Sequence, residues 1–268
     1  MNALCQMTGL SRAGFYRWRV PHQTTPVEME IRDQIQKVAL ESSAYGYRRI
    51  TAELRRRGFE VNHKRVLRMM REDNLLCVRR RAFVITTDSR HNLPVFPNLA
   101  GAMMPAAINQ LWVADITYIR LRTEFIYLSV VLDAFSRRVI GWALGRTLES
   151  ELAAAALRMA LRERQPSPGL VHHSDRGVQY ASHDYTGMLK QHGAIVSMSR
   201  KGNPYDNAAC ESFMKTLKYE EVYRSEYRDF GEARTRIGEF LESVYNQKRL
   251  HSALGYLPPT EFENGAVQ

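Results

Sequence analysis

Two rhythms divide the chain. Between about residues 27 and 73, apolar positions return every three to four residues, as in helices with one buried face. The pattern predicts helices over 27–41, Tyr47–Arg57 and His63–Asp73. Ile50 and Leu54 point inward on the second, and Val66, Leu67 and Met70 on the third. Gly58 ends one helix, Phe59-Glu60-Val61 makes the turn, and Asn62 caps the next. Residues 2–19 read alike, with Ala3, Leu4 and Met7 inward, a break at Gly9 and a cap at Ser11. From Gln110 the period shortens to that of strands: LWVADITYI, FIYLSVVLDAF and RRVIGWALG, with short connections.

A helix over Glu149–Arg164 follows, then a strand at Gly169–His173, a helix around His183–His192, a strand at Ala194–Met198, and helices at Asn207–Tyr219 and Phe230–Asn246. The order βββ-α-β-α-β-α is that of the ribonuclease-H-like α/β fold, a mixed sheet flanked by helices. An all-α region precedes it. The stretch 87–109 carries Pro94, Pro97 and Pro105 with little periodicity and reads as a proline-extended linker. The expected division is therefore 1–86, a helical region; 87–109, a linker; and 110–268, the sheet domain with a C-terminal helical extension.

Charge separates the same two parts. Residues 1–100 hold 18 Lys and Arg against 9 Asp and Glu, whereas 101–268 hold 20 against 19. The basic excess suggests a polyanion-binding module, although a solvated, solubilising surface fits charge alone equally well. Placement favours the first: Arg12 and Arg17 lie among aromatic residues on the second short helix, Arg48 and Arg49 open the Tyr47 helix, and Lys64, Arg65 and Arg68 line the helix after the turn. Two helices joined by a short glycine-containing turn, the second basic, have the form of a DNA-binding helix-turn-helix. Arginines on phosphates carry no base preference. No apolar run reaches the ~18 residues that span a bilayer. Cys5, Cys77 and Cys210 match neither a disulfide framework nor zinc spacing, so a cytoplasmic setting is expected.

Three acids carry the candidate chemistry. Asp115 sits midway along an apolar strand, where a lone carboxylate is costly unless paired or metal-bound. Asp175 ends the fourth strand, and Glu211 lies on a helix 35 intervening residues later. On that helix Ala209, Phe213 and Leu217 form an apolar face, while Glu211 projects away on the side of Asn207, Lys215 and Lys218. An ordinary i, i+4 salt bridge explains the helix by itself. Three oxygen donors are also what two Mg²⁺ ions need, since Mg²⁺ keeps waters and takes only a few carboxylates plus substrate phosphate. His172 and His173 read as strand-end residues near such a site rather than ligands. Asp133 and Asp184 are spare acids, and Asp206 suits a cap for the Glu211 helix.

Four motifs in order, LWVADITYI, VHHSDRGVQY, GNPYDNAACESFMKTLK and YNQKRLHSALGYLPPTEFE, give nearly the whole chain a resemblance to the second-frame product of insertion-sequence-three family transposases, within the retroviral-integrase superfamily. The resemblance implies that Asp115, Asp175 and Glu211 are the DDE triad binding two Mg²⁺ or Mn²⁺ ions, and that Lys218 helps hold the element's end. It implies hydrolysis to a 3′-OH followed by attack of that hydroxyl on another phosphodiester. Double-stranded DNA, both element ends and target, is the implied partner, handled by a homo-oligomer in a synaptic complex in the bacterial cytoplasm. Family transposases are usually fusions with an upstream frame that supplies a leucine zipper. No heptad run is sustained here, so an upstream-frame protein or fused segment is a further implied partner. The competing reading is a DNA-binding regulator with a silent integrase-like core.

Overall fold

The computed structural model describes residues 25–75, 93–200 and 207–266. The chain divides into two compact units, Met1–Cys77 and Val78–Gln268.

The first unit contains α1 (Pro26–Glu41), α2 (Tyr47–Arg56) and α3 (His63–Glu72). Thr25 caps α1 by accepting the Glu28 N–H, with Pro26 in the first turn, where its missing N–H costs nothing. Asn62 caps α3 by accepting the Lys64 N–H at 2.9 Å. Gly58 takes φ 87°, which turns the chain between α2 and α3. Ile31, Ile35, Val38, Ile50, Leu54, Val66, Met69 and Met70 form the core. Met69, not the expected Leu67, completes the inward face of α3; Leu67 is only half-buried. A charge cluster ties the first helix of this unit to the third: Glu28, 3% exposed, accepts from Arg68, while Arg32 reaches Glu72 and Asp73.

The second unit is built on one sheet of order β3-β2-β1-β4-β5, with β1 (Leu111–Arg120), β2 (Phe125–Asp133), β3 (Val139–Gly145), β4 (Val171–Ser174) and β5 (Ile195–Met198). Strands β1 to β3 form an antiparallel meander; β4 joins β1 in parallel, and β5 joins β4 in parallel. One face packs against α4 (Ser150–Arg164) and α6 (His183–Gln191), which follows the short α5 (Val178–Ala181). The other carries α7 (Ala208–Glu220) and α8 (Phe230–Glu239). The chain ends in α9 (Pro259–Ala266). Gly141 makes the close approach of α4 to β3 feasible, because a Cβ there would stand 2.2 Å from the Ala156 carbonyl oxygen. This is the ribonuclease-H-like mixed sheet expected from the element order.

Two stretches depart from expectation. Residues 93–109 do not behave as a spacer: Leu93 and Phe96 pack on the α4 face, Ala100 and Met103 on the opposite one. Polar contacts fix the segment to β5, where the Leu99 N–H donates to Ser197 Oγ at 2.9 Å and the Met198 N–H to the Pro97 carbonyl. The prolines extend a strap rather than a linker. The expected helix over Phe230–Asn246 changes at Phe240 into a π-helical segment, Phe240–Tyr245. That segment delivers Asn246 edge-on to β3, where its side-chain amide exchanges two 2.9 Å hydrogen bonds with the Val139 backbone.

Candidate active site

β4 pairs with β1 only over Leu111–Val113, although β1 continues to Arg120. Helix α7 flanks the remainder of that edge. Asn207, its N-cap residue, donates from Nδ2 to the Ala114 carbonyl at 3.1 Å, which sets the first turn of α7 beside Asp115. The same short β4 places Asp175 immediately past its end, where Asp175 Oδ1 accepts the Gly177 N–H at 2.8 Å.

Asp115 is half-buried, and its Oδ1 accepts the Ile116 N–H at 2.9 Å. Burial lifts its carboxyl to about 7; the negative charge of Asp175 adds to this, and that of Glu211 adds further. The Ile116 N–H and the Lys218 ammonium oppose the rise without overcoming it. Asp115 therefore feels both other acids, from the turn after β4 and from the first turn of α7. Among the described residues, no three His, Cys, Asp or Glu side chains form a ready-made metal cage. Neighbouring like charges disfavour the ionised form until a cation offsets them, and Mg²⁺ needs only a few carboxylates. The all-oxygen donor set and the unfavourable charge on Asp115 both suit a hard divalent ion.

Glu211 is half-buried, and Lys215 is exposed one turn further on. Lys218 lies two turns beyond Glu211 on the same continuous helix. Its ammonium lies near Asp115 and 4.9 Å from the centre of the Tyr118 ring. Burial lowers its pKa, and Asp115 resists that fall. The core face of α7 is Cys210, Phe213, Met214 and Leu217, with Ala209 only partly buried.

Neighbouring polar groups support the sheet. His172 Nε2 lies 2.9 Å from Tyr185 Oη, and burial lowers its pKa to about 3, which keeps the ring neutral. His173 bridges Ser197 and Ser199 at 2.8 and 3.0 Å. Asp133 accepts the backbone N–H groups of Asn109, Phe135 and Ser136 and so shapes the β2–β3 turn. Asp184 is exposed in the first turn of α6. Asn203, Tyr205 and Asp206, and Arg12 and Arg17 in the N-terminal stretch, lie outside the described residues.

In the first unit, Arg48 and Arg49 lie over the rings of Tyr47 and Tyr45 at 5.7 and 5.6 Å. Lys64 is exposed at the start of α3. Arg65 and Arg68 approach Glu28 at 3.8 and 3.0 Å, so their charge is partly committed within the unit.

Asn207, Tyr118 and Arg249 hold positions around the site that no local sequence pattern marks. For Arg249, which is buried and grips α7, the only hint is the mixture of charged and apolar residues in YNQKRLHSAL.

The HTH-like domain family matches residues 26–83, and the integrase core domain families match 105–204 and 192–259. The chain is 41% identical to the insertion element IS600 uncharacterized 31 kDa protein of Shigella sonnei, over 97% of each chain. It is 36% identical to the transposase InsF for insertion sequence IS3A of Escherichia coli K12, over 98% of this chain and 94% of that one. Among solved structures, the HTLV-2 integrase catalytic core domain in complex with magnesium aligns at 15% identity and a TM-score of 0.45, over 59% of this chain and 98% of that one. The near-complete alignment with InsF, and the order of an HTH-like domain followed by an integrase core, make this chain a member of the IS3 family of insertion-sequence transposases.

Proposed function

We propose that this transposase cuts DNA at the ends of its element and joins the freed 3′-OH to another phosphodiester, with Asp115, Asp175 and Glu211 as its catalytic carboxylates. The observation that carries the proposal is the position of the three acids: Asp115 on central β1, Asp175 just past the end of neighbouring β4, and Glu211 in the first turn of the helix that Asn207 ties to β1. Burial and the charges of the other two acids raise the Asp115 carboxyl. A fold that gathers like charges beside a strand edge loses stability unless a cation shares the site. The three carboxylates would hold two Mg²⁺ or Mn²⁺ ions, which when bound activate the attacking oxygen and stabilise the leaving one.

The protein's own residues then position the DNA. Lys218 and the more exposed Lys215 neutralise phosphates next to the carboxylates, and Asn207 keeps Glu211 in register with β1. The helix-turn-helix contributes Arg48, Arg49, Lys64, Arg65 and Arg68 to double-stranded DNA, as do Arg12 and Arg17 from the N-terminal stretch. Joining two ends calls for a homo-oligomer, and an upstream-frame segment would help recognise the terminal repeats. No helix among the described residues is long and apolar enough to cross a membrane. The setting proposed for the reaction is the bacterial cytoplasm.

The test is cleavage and strand transfer on labelled duplexes from the ends of the encoding element. Asp115→Asn, Asp175→Asn and Glu211→Gln should each abolish Mg²⁺-dependent product while DNA binding persists. Undiminished cleavage by any one of them would falsify the site.

A further inference from the structure

A group of half-buried and exposed rings lies near the carboxylates and takes no part in the reaction proposed above. Tyr118, three residues after Asp115 on β1, meets Phe125 of β2 edge to face, with centroids 5.8 Å apart. Tyr223, in the short turn after α7, meets Tyr219 in the same manner at 5.6 Å. The end of α7 brings the two pairs to one side of β1, because Lys218, next in sequence to Tyr219, lies 4.9 Å from the centre of the Tyr118 ring. Phe125 and Tyr223 are nevertheless 51% and 41% exposed. Apolar surface gathered into one patch marks an interaction site, whereas singly scattered exposed rings do not.

Cations interleave with these rings. Lys218 Nζ lies over Tyr118, Arg120 is exposed opposite Phe125 in the β1–β2 pair, and the exposed Arg224 donates to the Tyr219 carbonyl at 3.0 Å. The core of a protein–protein interface is depleted of charge, whereas aromatic rings set in a basic groove are the composition of single-stranded nucleic-acid platforms. Lys218 also lies near Asp115. A phosphate held by that ammonium therefore brings its attached base to the rings.

We propose that Tyr118, Phe125 and Tyr223 form a stacking platform for unpaired bases of the DNA strand whose phosphate enters the carboxylate site. The platform rests on the reading of Asp115, Asp175 and Glu211 as the reaction centre. It adds a site for nucleobases, used without regard to sequence because every base presents a π-face. Strand separation next to the reacting phosphate would thereby be stabilised by the enzyme.

The test compares two fluorescein-labelled strands on the full chain by anisotropy: a thymidine strand of about 12 nucleotides, and an abasic strand with the same number of phosphates. Bases on a platform should give the thymidine strand an advantage of roughly tenfold or more. Tyr118→Ala combined with Tyr223→Ala should erase that advantage while leaving abasic affinity unchanged, and phenylalanine at both positions should retain it. Equal binding of the two strands, or equal loss of both in the alanine variant, overturns the platform. If the alanine variant does not fold, 5-iodouracil in the thymidine strand decides the matter on the unaltered protein. Photo-crosslinks to Tyr118, Phe125 or Tyr223 support the platform, and crosslinks confined to other residues refute it. None of these measurements needs catalysis. Intact cleavage by Glu211→Gln would instead sink the reaction centre and leave the stacking result to be judged by itself.

Discussion

Arg249 grips both carboxylate oxygens of Glu220: Nε stands 2.9 Å from Oε2, and Nη2 stands 2.8 Å from Oε1. The same guanidinium reaches Thr216 Oγ1 at 3.3 Å and lies over the Tyr245 ring. Arg249 is 5% exposed, so the pair fastens the C-terminal segment to the helix that carries Glu211. Removing one partner strands a buried charge, which costs about 3–5 kcal/mol. Arg249→Ala should therefore lower the urea midpoint sharply, and Arg249→Met with Glu220→Leu should recover most of the loss. A single-variant loss below about 1 kcal/mol would assign the pair no structural weight.

Glu263 gives the protein an acid limit. Burial is the largest influence and acts to raise its pKa, but hydrogen bonds from Arg164, Ser136 and Arg138 together outweigh it and hold the carboxyl below its ordinary value. A depressed carboxyl stabilises the fold above its unfolded pKa, and that stability is lost as pH falls through the folded value. Glu263→Gln should be less stable than the parent at neutral pH, with the gap closing on acidification below about pH 4.5. Thermal melts across pH 3–8 would show the convergence, and a constant gap would contradict it.

Asp115 has the opposite sign. Its raised pKa means that stability is intact at low pH and is lost as pH rises through about 7. Without divalent ions, Asp115→Asn should melt higher than the parent at pH 8, by about 2–4 °C for each kcal/mol recovered, and match it near pH 4. Added Mg²⁺ should stabilise the parent and not the variant. Differential scanning fluorimetry with and without Mg²⁺ reads both effects.

Gly141→Ala should destabilise by about 3 kcal/mol, because the new methyl would overlap the Ala156 carbonyl and force α4 from β3. Unchanged stability would mean that the helix can move outward without loss.

Lys64 and Arg68 should separate by assay. Lys64→Ala should weaken duplex binding and reduce the salt slope by about 1, with little change in stability. Arg68→Ala removes a partner of the buried Glu28 and should lower stability as well. The opposite assignment would exclude Lys64 as a phosphate contact.

Much of this arrangement was legible in local pattern. The alternation in LWVADITYI marks β1, and Phe213 and Leu217 fix the face of α7 and hence the direction of Glu211. What escaped depends on partners distant in the chain. The strap at 93–109 is held by Ser197, almost a hundred residues later, so its prolines alone suggest a spacer. Lys218 shares a helix face with Glu211, but only the path of α7 along β1 carries it to Tyr118. The π-helical segment at Phe240 follows from the demand of β3 for Asn246, and no periodicity in Phe230–Asn246 records that demand.

The early end of β4 has a consequence for heat resistance. Asp115 belongs to the central strand of the sheet, and Glu211 to a helix tied to that strand through Asn207. Central strands open only with the whole fold, so Asp115 and the tie that holds the Glu211 helix to its strand should last until the sheet itself gives way. Catalytic competence should therefore track the integrity of the whole sheet, persisting almost to the melting point and then vanishing together with it.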